Sequence, residues 1–164
     1  MQMILQLSNM NRLARCLMIF MIRKAEYLCV FLAGGVIYGL LEMMWRGFTH
    51  WSMTVAGGIC VLAIHLLNHR MRHRSMILRC TLGCAVITAV ELAAGVIVNL
   101  LLGLNVWDYS GMYGNFLGQI CPAFSFLWFL ISFPACGFSN AARCFFERVE
   151  FTESRAENER KAEA

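Results

Sequence analysis

The sequence predicts an all-α integral membrane protein of four transmembrane helices, arranged as two tandem two-helix units, with an aromatic, glycine-rich segment on the outer face between helices 3 and 4. Three observations predict it. Of 164 residues, 59% are hydrophobic and only 15% charged, with a mean hydropathy of +0.61, whereas soluble domains are about 45–50% apolar and about 25% charged. Four apolar runs are close to the roughly 20 residues that a bilayer crossing takes. Between the last two lies Trp107-Asp-Tyr-Ser-Gly-Met-Tyr-Gly-Asn-Phe-Leu-Gly-Gln-Ile-Cys121, too polar for a lipid-facing helix and too aromatic for a free aqueous loop. Trp and Tyr favour the headgroup level. Irregular backbone survives there only where protein or a water-filled cavity satisfies its N–H and C=O groups. A chain of this length with four crossings has no room for an ATPase or a large soluble module.

Residues 1–24 read as an amphipathic N-terminal segment lying on the inner surface, because Arg12, Arg15, Arg23 and Lys24 interrupt its apolar residues. A cleaved signal peptide is not expected: the longest apolar run, residues 16–22, is followed by Arg-Lys and lacks a small-residue exit. A true start at Met21 is as good a reading of this region as any function for it. The four-helix membrane domain is expected over residues 25–138, with spans at 25–45, 51–67, 77–102 and 120–138. Residues 139–164 form a charged cytoplasmic tail, a solvated helix or a disordered end, whose charges serve solubility and topology.

Lysine and arginine set the orientation. Residues 12–24 hold four, residues 70–79 hold four and the tail from Arg143 holds five, which leaves only Arg46 of the fourteen for the opposite face. By the positive-inside rule both termini and the loop 68–79 are cytoplasmic, and Arg46, His50 and residues 107–119 face outward. Arg70, Arg72 and Arg74 are placed to meet anionic lipid headgroups, each contributing about 1 kcal/mol near the surface. His65, His69 and His73 recur every four residues beside these arginines. With no matching ligand spacing, they read as headgroup contacts and not as a metal face.

A repeat runs through the chain. Gly35 to Glu42, then Trp51, then Gly58-Ile-Cys60, is echoed by Gly83 to Glu91, then Trp107, then Gly118-Gln-Ile-Cys121. Each half is span, acid, outer Trp, span, which gives a parallel repeat about an axis along the membrane normal. The acid-to-Trp spacing differs, nine residues in the first half and sixteen in the second.

Several residues could carry chemistry. Glu91 lies mid-span, where a charge costs at least about 2.5–3.5 kcal/mol on insertion scales. It shares a helical stripe with Cys84, Thr88, Gly95 and Asn99, and is either a hydrogen-bonded helix glue partnered from that stripe or a proton or ligand site. Glu42 and Arg46 can pair at i,i+4, as a helix-end anchor or as the polar floor of a cavity beneath residues 107–119. Asp108, with Ser110, is expected to turn the outer segment. Asn115 and Gln119, each with donor and acceptor groups, are better ligand candidates. Pro122 suits the first turn of the fourth helix. With Trp107, the candidate ligand or transport-path residues are Glu42, Arg46, Glu91, Asn99, Trp107, Asp108, Asn115 and Gln119. The eight cysteines contain no Cys-x-x-Cys pair, and no disulfide, metal site, cofactor or catalytic constellation is expected.

Tyr38-Gly-Leu-Leu-Glu-Met-Met-Trp-Arg-Gly47, His50-Trp-Ser-Met53, Gly57-Gly-Ile-Cys60, Glu91, Asn105-Val-Trp-Asp-Tyr-Ser110 and Asn115-Phe-Leu-Gly-Gln-Ile-Cys121 together resemble the bacterial ABC-transporter type IV permease family of CmpB-like membrane proteins. The resemblance covers roughly residues 27–138. It implies a small bacterial inner-membrane protein with a duplicated helical unit and a permease-like role toward an undefined small solute. The alternative is a non-transporting scaffold or sensor whose polar residues are packing. The expected partners are the bilayer and either further copies of the chain or other membrane subunits, without nucleic acid. A separate ATPase would have to grip the short basic loop 68–79, which weakens the ATP-driven version. An enzyme is not expected.

Overall fold

The computed structural model describes the backbone of residues 2–163 and the side chains of residues 13–159 apart from residue 157. Helix α1 spans Gln2–Arg46, α2 Trp51–Arg70, α3 Met76–Gly95 and α4 Pro122–Glu163, and a π-helical turn, Val96–Leu101, continues α3. Among the described residues there is no strand, only an isolated bridge between Phe116 and Ile120. Four helices among these residues are long and apolar enough to cross a membrane, over Leu13–Arg46, Trp51–Arg70, Met76–Leu101 and Pro122–Ala156. The protein is a multi-pass, all-α membrane protein.

The helices run on past both ends of the expected membrane domain, and of the two forms expected for the tail it takes the helix. No break separates residues 1–24 from the first span, and α4 continues past residue 138 to Glu163. The chain clusters into two compact units, Met1–Cys29 with Ala141–Ala164, and Val30–Asn140. The first unit shows why charge does not interrupt its helices. Fully buried Glu26 accepts from Arg23 at 3.1 Å and from Arg143 at 3.0 Å, and Arg23 also reaches Glu150 at 3.1 Å. Lys24 lies 4.5 Å over the Phe20 ring. Charges answered in this way leave the helical backbone intact, and α4 adds i,i+4 pairs from Arg143 to Glu147 and from Arg155 to Glu159.

In the second unit the element ends follow local chemistry. His50 caps α2, its Nδ1 accepting from Ser52 N–H, and the Ser75 hydroxyl caps α3 by accepting from Leu78 N–H. Pro122 is the first residue of α4, where its missing N–H removes no helix bond. Helices α1 and α2 meet through glycine. A Cβ on Gly35 would lie 2.7 Å from the Thr54 carbonyl, and one on Gly58 would lie 2.8 Å from that of Phe31. Small residues thus let the two backbones approach. Ile64, Cys80, Ile87, Trp128 and Cys136 fill the core between α2, α3 and α4.

The histidine row departs from expectation. His65 is buried, its Nδ1 bonding the Ser139 hydroxyl at 3.0 Å, and His69 sits edge-on to it, while His73 is exposed beside Arg72. A helix turns 100° per residue, so a row at i, i+4, i+8 drifts off one face. Here the drift takes the first member into the core. Next to it Asn68 donates to Asn140 at 2.7 Å and to Ser139 at 3.1 Å, and accepts from Arg79 at 2.8 Å. Arg70, Arg72 and Arg74 are exposed.

Glycine substitution checks the α1–α2 packing. Gly137 has nothing within 4 Å of a built Cβ, so Gly137→Ala should raise stability by about 0.5–1 kcal/mol through helix propensity. Gly35→Ala should lower it by about 1–3 kcal/mol, because a backbone carbonyl must move. Thermal unfolding of both variants in one detergent reads the opposite signs, and shifts of the same sign would rule out a glycine-mediated contact.

Candidate functional site

The π turn and the segment after it build the site. Leu102 N–H bonds Ile97 C=O, one residue further back than in an α-helix, and the chain then leaves the helix at Gly103 (φ 66) and Asn105 (φ 47). Both residue types tolerate the left-handed region. The buried Asn99 amide captures the returning chain. Its Nδ2 donates to Trp107 C=O at 2.8 Å and to Gln119 Oε1 at 2.7 Å, and its Oδ1 accepts from Val106 N–H at 2.7 Å. Gln119 donates in turn to Leu117 C=O, and the Trp107 indole donates to Gln119 C=O at 3.1 Å. Gly95 makes room for this, since a Cβ there would lie 2.5 Å from Gln119 Oε1.

Val106 and Trp107 are both buried, and beyond them burial alternates along the segment. Trp107 is buried and Tyr109 half-buried, while Asp108 and Ser110 point out. Asp108 closes the turn, accepting from Ser110 N–H and from its hydroxyl, both at 2.8 Å. These bonds, the backbone one first, hold its carboxyl below the usual carboxylate range. A depressed folded pKa means that this stabilisation is complete above the unfolded value and is lost as pH falls through the folded one. Asn115 pins the far side, donating to Ser110 and Met112 carbonyls and accepting from Gly118 N–H.

Beneath this cover is a cavity of about 330 Å³ bounded by α1, α2, α3, α4 and the segment. Its wall is mostly apolar and aromatic, and three charged side chains reach it: Glu42, Arg46 and Glu91. Glu42 pairs with Arg46 at 3.4 Å and accepts from the Thr49 hydroxyl, and Arg46 also donates to Val106 C=O at 2.8 Å. Glu91 is buried, with Oε1 accepting from Tyr109 OH at 3.0 Å and Oε2 from Trp128 Nε1 at 2.8 Å. Burial first, and then the Glu91 charge, raise the Tyr109 pKa, so its hydroxyl keeps its proton and remains a donor. Tyr109 stacks on Phe124 at 4.6 Å, and Trp128 lies 6.3 Å from Tyr38, ring centre to ring centre.

Of the eight sequence candidates, Glu42, Arg46, Glu91 and Trp107 converge on the cavity. Asn99 and Gln119 lie behind it, their amides committed to the segment, and Asp108 and Asn115 hold its turn. The expectation that Glu91 finds its partner on its own stripe is corrected. Thr88 and Cys84 bond Ser125 and Asn99 bonds the segment, because residues on one stripe all face the neighbouring element. Tyr38, Tyr109 and Trp128 were missed. The period-2 alternation from Trp107 to Tyr109 and the i,i+4 step from Tyr38 to Glu42 were the signals that pointed to two of them.

Two predictions test this geometry. Asn99→Ala leaves three buried backbone or side-chain groups short, at about 1–3 kcal/mol each when unsatisfied. It should destabilise the fold by at least about 2 kcal/mol and shift Trp107 emission to the red, and an unchanged spectrum in a folded variant would disprove the lock. At Glu91, Gln retains an acceptor for Trp128 and an amide for a rotated Tyr109 hydroxyl, so the change should stay within about 1 kcal/mol. Glu91→Leu orphans both donors and should cost about 2 kcal/mol or more. Equal melting temperatures for the two variants would refute the pairing.

The family model described as Putative ABC-transporter type IV matches residues 36–150, which takes in every residue around the cavity. No curated protein and no solved structure matches the chain. By its sequence over most of its length, the chain belongs to the Putative ABC-transporter type IV family of membrane proteins.

Proposed function

We propose that the protein is a permease-like component of the bacterial inner membrane that holds a small solute in the cavity under residues 107–119 during transport, and is not an enzyme. The observation that carries this reading is the convergence of three charged side chains on an otherwise apolar hollow of about 330 Å³. Ligand pockets of about 300–1,000 Å³ are built in this way, from apolar walls and a few fixed polar groups. Both termini and the basic loop 68–79 lie on the cytoplasmic side, with residues 107–119 outside, a reading that the thirteen-to-one division of the fourteen Lys and Arg supports. Further copies of the chain or other membrane subunits complete the path on either side of the cavity. The exposed Arg70, Arg72 and Arg74 rest on anionic headgroups.

Cysteine labelling tests orientation and transport together. In a cysteine-free background, Arg74→Cys should react from the cytoplasmic side and Gly111→Cys from outside; the reverse pattern sinks the topology. Cys60 lines the cavity. A carrier must open that cavity to each side in turn, so a variant that retains only Cys60 should react with a small impermeant thiol reagent in both right-side-out and inverted vesicles. Reaction from neither side, with the protein folded, favours a static scaffold.

A further inference from the structure

Resting on the solute-cavity reading above, we propose that the cavity selects a small lipophilic monocation, a quaternary or protonated amine with an aromatic or branched apolar body, and that Glu91 is its counter-ion. The argument is one of charge balance. Glu42 and Arg46 are paired at 3.4 Å, so together they present the cavity with no net charge. Glu91 has no such partner: among the described residues its bonds are to Tyr109 OH and Trp128 Nε1, two neutral donors. From the other walls it is faced by Tyr38 of α1 and Cys60 of α2, which carry no positive charge. An indole N–H can only donate, and two donors on the two carboxyl oxygens complement the ionised acid. The result is a pocket with one acidic site and no free base.

The walls match that charge. Tyr38, Tyr109, Phe124 and Trp128 bring four rings around the Glu91 end, with neighbouring centres 4.6 to 6.3 Å apart. Aromatic faces attract cations, most strongly where water is excluded, and such surrounds recognise quaternary ammonium groups. An anion would meet the same rings and Glu91, and the one cation at the cavity, Arg46, is already bound to Glu42 and to Val106 C=O. A neutral solute would leave Glu91 uncompensated in an apolar enclosure, which is costly.

The test uses three probes of similar shape on the full-length protein in detergent: phenyltrimethylammonium, its uncharged isostere tert-butylbenzene and benzenesulfonate. Binding is read by calorimetry and by Trp128 fluorescence. The cation should bind more tightly than either of the others, and Glu91→Gln should weaken it by about tenfold or more, as truncation of one partner of a buried charge pair does, while tert-butylbenzene should bind the variant at least as tightly as the native protein. A second reading needs no variant. Dicyclohexylcarbodiimide modification of Glu91 in the native protein, located by peptide mass analysis, should be slowed by phenyltrimethylammonium and not by tert-butylbenzene. Equal or tighter binding of the neutral probe, or preference for benzenesulfonate, overturns the cation assignment while the solute cavity stands. Binding of none of the three, with Cys60 unreactive from both sides, removes the cavity reading itself.

Discussion

The second unit depends on the side-chain amide of Asn99. A non-helical stretch between two membrane helices must satisfy its own backbone, because a lipid surround offers no water to do so. Asn99 does this at both ends of the stretch at once, holding Val106 and Trp107 on one strand and Gln119 on the other. With those ends fixed, the chain between them is short enough for Tyr109 N–H to reach Gly118 C=O at 2.7 Å and for Asn115 to close the remaining turn. The inward reach of Trp107 and Tyr109 follows from that closure, and the cavity follows from their reach. Leu117, with φ 55, sits in a region that branched side chains avoid. Its carbonyl is held by Gln119, so the same lock that covers the cavity also holds this residue in place.

The lock and the cavity divide the polar residues into two kinds. Asn99 and Gln119 are buried, and the oxygen and nitrogen of each side-chain amide bond within the fold. Glu91 and the Glu42–Arg46 pair keep oxygen and nitrogen atoms at the cavity wall. A polar residue inside a membrane protein is by default a functional one, yet here the default separates by partner. Amides that bond the backbone are structural, and carboxylates that bond side-chain donors face the open volume.

Much of this was legible in the sequence, and the rest was not for physical reasons. Apolar run length marked all four helices, because hydropathy is a local property. The Glu42–Arg46 pair, the Asp108 turn and Pro122 at the start of α4 were also local, each decided within a few residues. The continuity of α1 was hidden because Arg23 looks like an interruption until it is seen to pair with Glu150, more than a hundred residues away, and the helical form of the tail, one of two that its charges allowed, is held by the same kind of pairing, Arg143 to Glu26. His65 was misread for a similar reason: its partner Ser139 is 74 residues away. The donors to Glu91, at separations of 18 and 37 residues, belong to elements whose approach is set by the π turn, and no periodicity along α3 encodes that turn.

The unequal spacing of the two halves explains the charge of the cavity. Glu42 is followed after nine residues by Trp51, and in so short a connection it can be answered only by its neighbours, Arg46 one turn on and Thr49 in the linker. That makes a self-contained ion pair. Glu91 is followed after sixteen residues by Trp107, and the extra length accommodates a π turn and a non-helical stretch that bonds back to Asn99. The returning stretch brings an aromatic hydroxyl in place of a guanidinium. A carboxylate met by dipoles is stabilised without being neutralised, because hydrogen bonds favour the ionised form while leaving its charge in place. Two acids thus end on one cavity with different partners, a guanidinium for the first and neutral donors for the second. The difference arises from the length of the connection, before any residue at the site is considered.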